Sequence, residues 1–157
     1  MNKKILITGG SGYCGSMLVP LLLQNNYEVV VYDNMIFGDK HLPKLNDNLT
    51  IVRGDIRDIS MFSSSLDGVN TVIHLACISN DASFELDEKL STSVNYDCFE
   101  NLVKASKSKG VNRFIYASSS SVYGISDKPN VTEDHALVPL TLYNKFKGMC
   151  EPILQKH

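Results

Sequence analysis

Five short runs of apolar, largely β-branched residues punctuate the chain, at Lys4–Thr8, Glu28–Asp33, Leu49–Arg53, Thr71–Ala76 and Arg113–Ser118. Each is too short for a helix and lacks strict alternation, the pattern of strands covered on both faces. The stretches between them carry a longer period. Tyr13–Asn25 spaces Leu18, Leu21 and Leu22 for a helix, with Pro20 past the first turn, where it removes a backbone hydrogen bond and predicts a kink. Leu90–Lys109 places Leu90, Val94, Cys98, Leu102 and Ala105 on one stripe, and Gly110 follows as a stop. From about Thr141 the chain again reads as helix and reaches His157 without a stop signal, the pattern of a domain cut short in or just after this helix.

Strands alternating with helices pair in parallel through right-handed crossovers. The predicted fold is therefore α/β: a Rossmann-type doubly wound parallel sheet with helices on both faces. With 157 residues and 43% hydrophobic content, the chain reads as a single domain over residues 1–157, without repeats or linkers. A chain of this size buries roughly 70% of its unfolded surface without help from disulfides or metals.

Charge narrows the partners. The formal net charge is −2 and the 15 Lys and Arg residues are scattered, so no footprint for nucleic acid or an anionic membrane is present. A small-molecule partner is expected. Met1-Asn2-Lys3-Lys4 is basic, but the apolar run behind it stops at Ile7, too short for a signal peptide or a span, and a cytoplasmic protein is expected. Cys14, Cys77, Cys98 and Cys150 are far apart and lack metal-ligand spacing, so they read as reduced structural thiols and no metal is expected.

The chemistry begins directly after the first run, where Gly9, Gly12 and Gly15 form a GxxGxxG turn. Gly9 permits a tight strand-to-helix turn, Gly12 lets main chain approach a diphosphate, and Gly15 lets helix and sheet pack closely. Ser11, Tyr13 and Cys14 complete the expected cradle, with the anion at a helix N-terminus. Asp33, 18 residues beyond Gly15, ends the second run, where a carboxylate accepts hydrogen bonds from ribose hydroxyls. Asn34 follows it and no Arg stands close behind, which favours NAD over NADP.

Four further groups of residues have ordinary explanations when taken singly. Asp55 and Asp58, in Gly54-Asp55-Ile56-Arg57-Asp58, read as a turn residue and a helix cap. His74, before Leu75, Ala76 and Cys77, reads as a satisfied core histidine. Ile78–Lys89, with Asn80, Asp81, Glu85 and Asp87, reads as a solvated connecting loop, and Glu133 and Asp134 are similar. Tyr143 and Lys147, which alone would read as surface residues, stand four apart on one helix face, where an ammonium can favour a phenolate and yield an acid/base.

Together, these motifs and the serine turn Ser118-Ser119-Ser120-Ser121-Val122-Tyr123-Gly124 resemble the extended short-chain dehydrogenase/reductases. The match is to their NAD-dependent epimerase/dehydratase group, UDP-glucose 4-epimerase-like, and runs along essentially the whole chain. The resemblance implies that Asp55 and Ile56 meet adenine and that Leu75, Ala76 and Cys77 pass beside the nicotinamide ribose. It implies a structural and cofactor-contacting role for Asn95. It also implies catalytic roles for Ser119, Tyr143 and Lys147, the last two contacting cofactor as well, with Ser118 as supporting neighbour and Ser120 as the fallback.

Where the group's dehydratases carry an Asp-Glu pair, this chain has Ser120 and Ser121. The resemblance therefore implies transient oxidation of a nucleotide-sugar hydroxyl and return of hydride to the opposite face. A reductase or dehydrogenase would use the same residues, and a catalytically silent dinucleotide sensor or scaffold would share the fold. The group's enzymes are longer and carry a C-terminal substrate domain, so this stretch alone is expected to have little turnover. Homodimers are usual in the group, which makes a homodimer possible here.

Overall fold

The computed structural model describes residues 3–44 and 46–157; Met1 and Asn2, part of the stretch weighed as a signal peptide, lie outside the described residues. Five parallel strands form one sheet: β1 (Lys4–Thr8), β2 (Glu28–Asp33), β3 (Leu49–Arg53), β4 (Thr71–His74) and β5 (Arg113–Tyr116), in the order β3-β2-β1-β4-β5. This is the expected doubly wound order, reversing direction at β1. The first three strands have the expected bounds, whereas β4 and β5 each stop two residues early. At the top of β4 the Ala76 N–H donates to the Thr8 hydroxyl at 3.3 Å instead of to a ladder carbonyl, and the regular pairing ends there.

The expectation that every strand is covered on both faces holds for β1 and β2, but not for β3 or β5. Ile51 and Ile115 are more than a third exposed. Branched residues suit the pleated backbone whether or not both sides are covered, so composition alone did not separate edge from centre.

Packing divides the chain into two units. The first reaches Ala76 and resumes at Asn101–Ala117, and the second comprises Cys77–Glu100 and Ser118–His157. In the first, α1 (Tyr13–Gln24) lays Val19 and Leu23 on Ile5, Ile7, Val29 and Val31, with Leu42 closing the cluster. Each such side chain contributes roughly 1.5–3 kcal/mol by leaving water. Leu18 and Leu22 pack at the margin of this cluster, while Leu21, expected on the inner face, is exposed. The buried face follows the pairs 18/22 and 19/23, and position 21 turns away from it. Pro20 lies inside α1. The short α2 (Ile59–Ser64) is capped as expected by Asp58, whose carboxylate accepts the Met61 N–H at 3.0 Å, and its Phe62 meets the Tyr32 ring edge-on at 5.5 Å.

The second unit corrects two expectations. The stretch Ile78–Lys89 is not a solvated loop. It contains α3 (Asp81–Leu86) and the start of α4 (Glu88–Thr92), capped by Asn80 and Asp87 through the N–H groups of Ser83 and Leu90, both at 2.9 Å. The helix expected over Leu90–Lys109 is interrupted: α4 passes into a π-helical turn (Ser93–Asp97) before α5 (Phe99–Ser108). Of the expected stripe, Cys98 and Leu102 are buried and Val94 and Ala105 half-buried, whereas Leu90 is exposed. Gly110, at φ +77°, takes the left-handed conformation expected beyond the helix end.

A short 3₁₀ turn spans Ser120–Tyr123, and α6 (Leu142–Lys156) begins where Thr141 accepts the Asn144 N–H at 3.3 Å. Phe146 stacks on Tyr96 at 5.1 Å and packs against Phe84 at 5.8 Å, fastening α6 to the π turn and α3. Among the described residues, no helix is long and apolar enough to cross a membrane.

Candidate active site

The first unit gathers the glycine turn, the ends of β1, β2 and β4, and the residues behind β3. Gly9 takes φ +71°, and a Cβ there would lie 2.7 Å from the Ala76 nitrogen, so the turn and the Leu75-Ala76 segment are in van der Waals contact. A Cβ at Gly15 would fall 2.5 Å from the Gly10 backbone. At Gly12 a Cβ would meet only the Gly9 carbonyl, at 3.3 Å. Gly9 and Gly15 are therefore required by the protein's own packing, whereas Gly12 keeps space open in front of the turn.

That space faces the start of α1, which Gly12 begins without a side-chain cap and whose first turn carries no acidic residue. Tyr13 and Cys14 are exposed there, Tyr13 at 93%. A helix N-terminus of this kind offers N–H groups and a positive dipole end to an anion. Ser11 turns its own N–H the other way, onto Asp33 Oδ2 at 3.0 Å, while Asp33 Oδ1 accepts the Met35 N–H at 2.8 Å. Each carboxylate oxygen has a second acceptor direction, so Asp33 can brace the turn and still receive two hydroxyls. Asn34 is exposed, and its side chain closes on the Ile36 N–H at 3.2 Å.

Asp55 is brought to the end of β2 by two bonds: Gly54 N–H donates to the Asp33 carbonyl at 2.9 Å, and the Tyr32 hydroxyl donates to the Asp55 carbonyl at 3.0 Å. Burial, followed by the charges of Asp58 and Asp55, pushes the Tyr32 hydroxyl up to about 12, so it stays a donor. The Asp55 carboxylate is held by Arg57, through Nε at 2.9 Å and Nη2 at 2.5 Å, and this keeps it below the usual carboxylate range. Ile56 is buried. His74 is a satisfied core residue, its Nδ1 2.7 Å from the Thr8 hydroxyl and its ring stacked 5.9 Å from Tyr116.

The second unit holds Cys77, Asn95 and the candidate acid–base residues. Asn95 is buried on the π turn and clasps Ile78 on both sides, accepting its N–H at 2.8 Å and donating to its carbonyl at 2.9 Å. Replacing Asn95 by Ala orphans both groups and is expected to lower stability by about 2 kcal/mol in urea denaturation. Asn95→Asp, which keeps only the acceptor, should fall between parent and alanine variant.

On α6, the Lys147 Nζ lies 5.9 Å from the centre of the Tyr143 ring, and Lys147 is only 5% exposed. The expectation that this ammonium lowers Tyr143 is not what the structure gives. Burial raises the phenol above its ordinary value; the charges of Cys77 and Asp81 add to this, and a hydrogen bond with the Asn80 main chain opposes it. Beside Tyr143 is a cavity of about 150 Å³ bordered by Asp81, Phe84, Glu85 and Glu88. Ser119 caps the 3₁₀ turn and lies 2.6 Å from the Ser121 hydroxyl, which donates to Asn144 at 2.5 Å. Ser118 is exposed and donates to Glu151.

The sequence reading gave Thr8, Tyr32 and Asn144 no role, and Ser121 only a place where the dehydratases carry an acidic residue. Thr8 and Tyr32 could have been found as polar groups at the ends of otherwise apolar buried strands. Ser121 and Asn144, 23 positions apart, share nothing in the linear pattern.

Comparison with known proteins agrees with this arrangement. Residues 5–157 match the family described as the NAD dependent epimerase/dehydratase family. A putative UDP-glucose 4-epimerase of Methanocaldococcus jannaschii is 30% identical over 96% of this chain and 50% of its own. A 3-beta-hydroxysteroid dehydrogenase of Mycolicibacterium neoaurum is 34% identical over 98% of this chain and 42% of its own. The crystallised UDP-N-acetylglucosamine 4-epimerase of Methanobrevibacter ruminantium M1, in complex with UDP-N-acetylmuramic acid, superposes with a TM-score of 0.91 at 29% identity, covering 99% of this chain and 50% of that one. The chain thus spans about half the length of the relatives it matches. With a five-stranded doubly wound sheet, a glycine turn braced by Asp33 and a Tyr-Lys pair on α6, the chain belongs to the NAD dependent epimerase/dehydratase family.

Proposed function

We propose that this chain supplies the dinucleotide-binding and acid–base residues of an NAD-dependent nucleotide-sugar 4-epimerase. The observation that carries the reading is Tyr143 with a buried Lys147 one helical turn away, on a chain whose serine turn lacks the acidic pair of the dehydratases.

The residues present fit the coenzyme. The open side of Gly12 and the uncapped start of α1 suit a diphosphate, Asp33 suits the adenosine ribose hydroxyls, and Leu75 and Ala76 border the turn. Arg53 stands opposite Asp33 across the β2–β3 pairing, a cation that linear spacing did not reveal. Asp33 nevertheless opposes a 2′-phosphate by its charge, and NAD is the expected coenzyme. When bound, NAD supplies an acceptor and donor of hydride for the sugar carbon and, in its oxidised form, a positive charge.

The chain's own residues do the rest. Tyr143 takes the proton from the sugar hydroxyl and later returns it, Ser119 holds the same oxygen by a hydrogen bond, and Lys147 stabilises the phenolate by its charge. Burial alone leaves the phenol protonated at neutral pH, so positive charge is what makes it a base.

The kinship with hydroxysteroid dehydrogenases favours a second reading, in which the same residues oxidise a steroid alcohol. One assay separates the two. The protein at the full length of its gene is incubated with NAD or NADP and a panel of UDP-, GDP-, dTDP- and CDP-sugars and a 3β-hydroxysteroid. Inversion of one sugar, with NAD preferred, is expected. Net NADH formation from the steroid alone, or a preference for NADP, overturns the reading.

A further inference from the structure

The acid–base chemistry uses the Ser119 hydroxyl, yet that hydroxyl is tied into a chain of two more polar side chains within the second unit. Ser119 Oγ lies 2.6 Å from Ser121 Oγ, and Ser121 Oγ donates to Asn144 Oδ1 at 2.5 Å. Asn144 is 7% exposed and directly follows Tyr143 on α6. Its own N–H is held at 3.3 Å by Thr141, whose hydroxyl donates to Asp81 at 2.5 Å, so the amide is mounted on a fixed helix start.

Counting protons gives the chain a direction. A serine hydroxyl has one proton to donate. Ser121 gives its proton to Asn144, so in the 2.6 Å contact Ser119 donates and Ser121 accepts. Ser119 also accepts the Ser121 N–H, at 3.3 Å. Its proton is therefore turned inward, and what remains for a substrate is one lone pair. An acceptor does not suit the reacting alcohol, whose single proton goes to Tyr143, nor the ketone that the alcohol becomes.

We propose that Asn144 is a positioning residue that sets whether Ser119 keeps its proton turned inward or donates it to the substrate oxygen. With Oδ1 toward Ser121, Ser119 accepts. With the amide turned half a revolution about its terminal torsion, a broad two-fold one, Nδ2 donates to Ser121. Ser121 then donates to Ser119, and Ser119 donates outward. Each oxygen keeps its own proton and only the orientations reverse. Tyr143 takes the one proton of the alcohol, so alcohol and ketone alike need Ser119 as donor, and turnover requires this reversed sense. This inference rests on the reading of Ser119 as the hydroxyl that touches the sugar.

Asn144→Asp tests it, because an ionised carboxylate only accepts whereas a protonated carboxyl both donates and accepts. The variant is assayed in the full-length protein beside the parent, and the ratio of the two kcat values is followed with pH. The ionisable groups on α6 and on the elements packed against it, Tyr143, Lys147, Glu151, Asp81, Glu85 and Tyr123 among them, are common to both proteins and largely cancel in the ratio. The ratio is expected to climb about tenfold as pH falls from about 8 to about 5, while KM changes by less than about threefold. A ratio that stays flat overturns the proposal.

If Asn144→Asp does not fold, as judged by thermal melting, Ser121→Ala and Ser121→Thr replace it. The alanine variant should lose about tenfold in kcat and the threonine variant should recover to within about threefold of the parent. Equal turnover by all three overturns the relay. Tyr143→Phe is run alongside. Turnover indifferent to Tyr143, or none in the parent, removes the epimerase reading and this inference together, whereas Tyr143-dependent turnover with a flat ratio removes only the relay.

Discussion

Tyr143→Phe in the full-length protein is expected to lower nucleotide-sugar turnover by about 10³-fold while leaving NAD affinity within about threefold. The contrast is large because the substitution removes only one atom. The Tyr143 ring packs against Phe84 at 6.4 Å, and phenylalanine keeps that contact. Stopped-flow turnover and calorimetric titration of NAD read the two quantities separately.

The pH dependence has a definite sign. Burial and the Cys77 and Asp81 charges raise the phenol above its ordinary value, so the base form is scarce at neutral pH and grows as pH rises. Parent kcat/KM should therefore climb with pH through the neutral range. Lys147→Met, which takes away the ammonium near the ring, should move that rise to still higher pH. A rate that falls with pH, or a Phe variant that turns over like the parent, removes Tyr143 from the chemistry.

The same residues show how far a linear reading reaches. Strand positions, the Asp58 cap and the Gly110 stop were legible because each is decided within a few residues, by branched side chains, an oxygen placed to accept an N–H, or tolerance of positive φ. The glycine turn and the Tyr-Lys pair were legible because spacing alone puts them on one turn or one helix face. What was missed is decided across the chain. Two helices of five and six residues at Asp81–Thr92 lie below the length at which periodicity speaks, and their caps Asn80 and Asp87 looked like loop polarity.

The π turn leaves no mark on the spacing of apolar residues and shows itself through the Asn95 side chain, which clasps Ile78 17 positions away. The direction of the Tyr143 shift was misread for a related reason. A charge four residues off is visible in the sequence, whereas burial, the larger cause, belongs to packing.

Gly12→Ala and Gly15→Ala should separate what the glycine turn does for the protein from what it does for a ligand. At Gly15 the new methyl would sit 2.5 Å from Gly10 backbone atoms, and the helix must move off the turn; a loss of about 3 kcal/mol is expected in chemical denaturation, with weaker NAD binding as a consequence. At Gly12 the backbone is extended, at φ −75° and ψ −176°, which any residue adopts, and the only neighbour is the Gly9 carbonyl at 3.3 Å. Stability should change there by less than about 1 kcal/mol. The methyl would nevertheless stand over the start of α1, in the space a diphosphate needs to reach the first-turn N–H groups. NAD affinity is expected to drop at least about a hundredfold, some 2.7 kcal/mol, when titrated calorimetrically into a Gly12→Ala protein that melts like the parent. Two residues three positions apart would then fail in opposite ways, one by unfolding and one by refusing the anion. A stable Gly12→Ala protein that binds NAD as the parent does would mean the diphosphate is held elsewhere, and the roles given to Gly12 and the uncapped helix would fall with it.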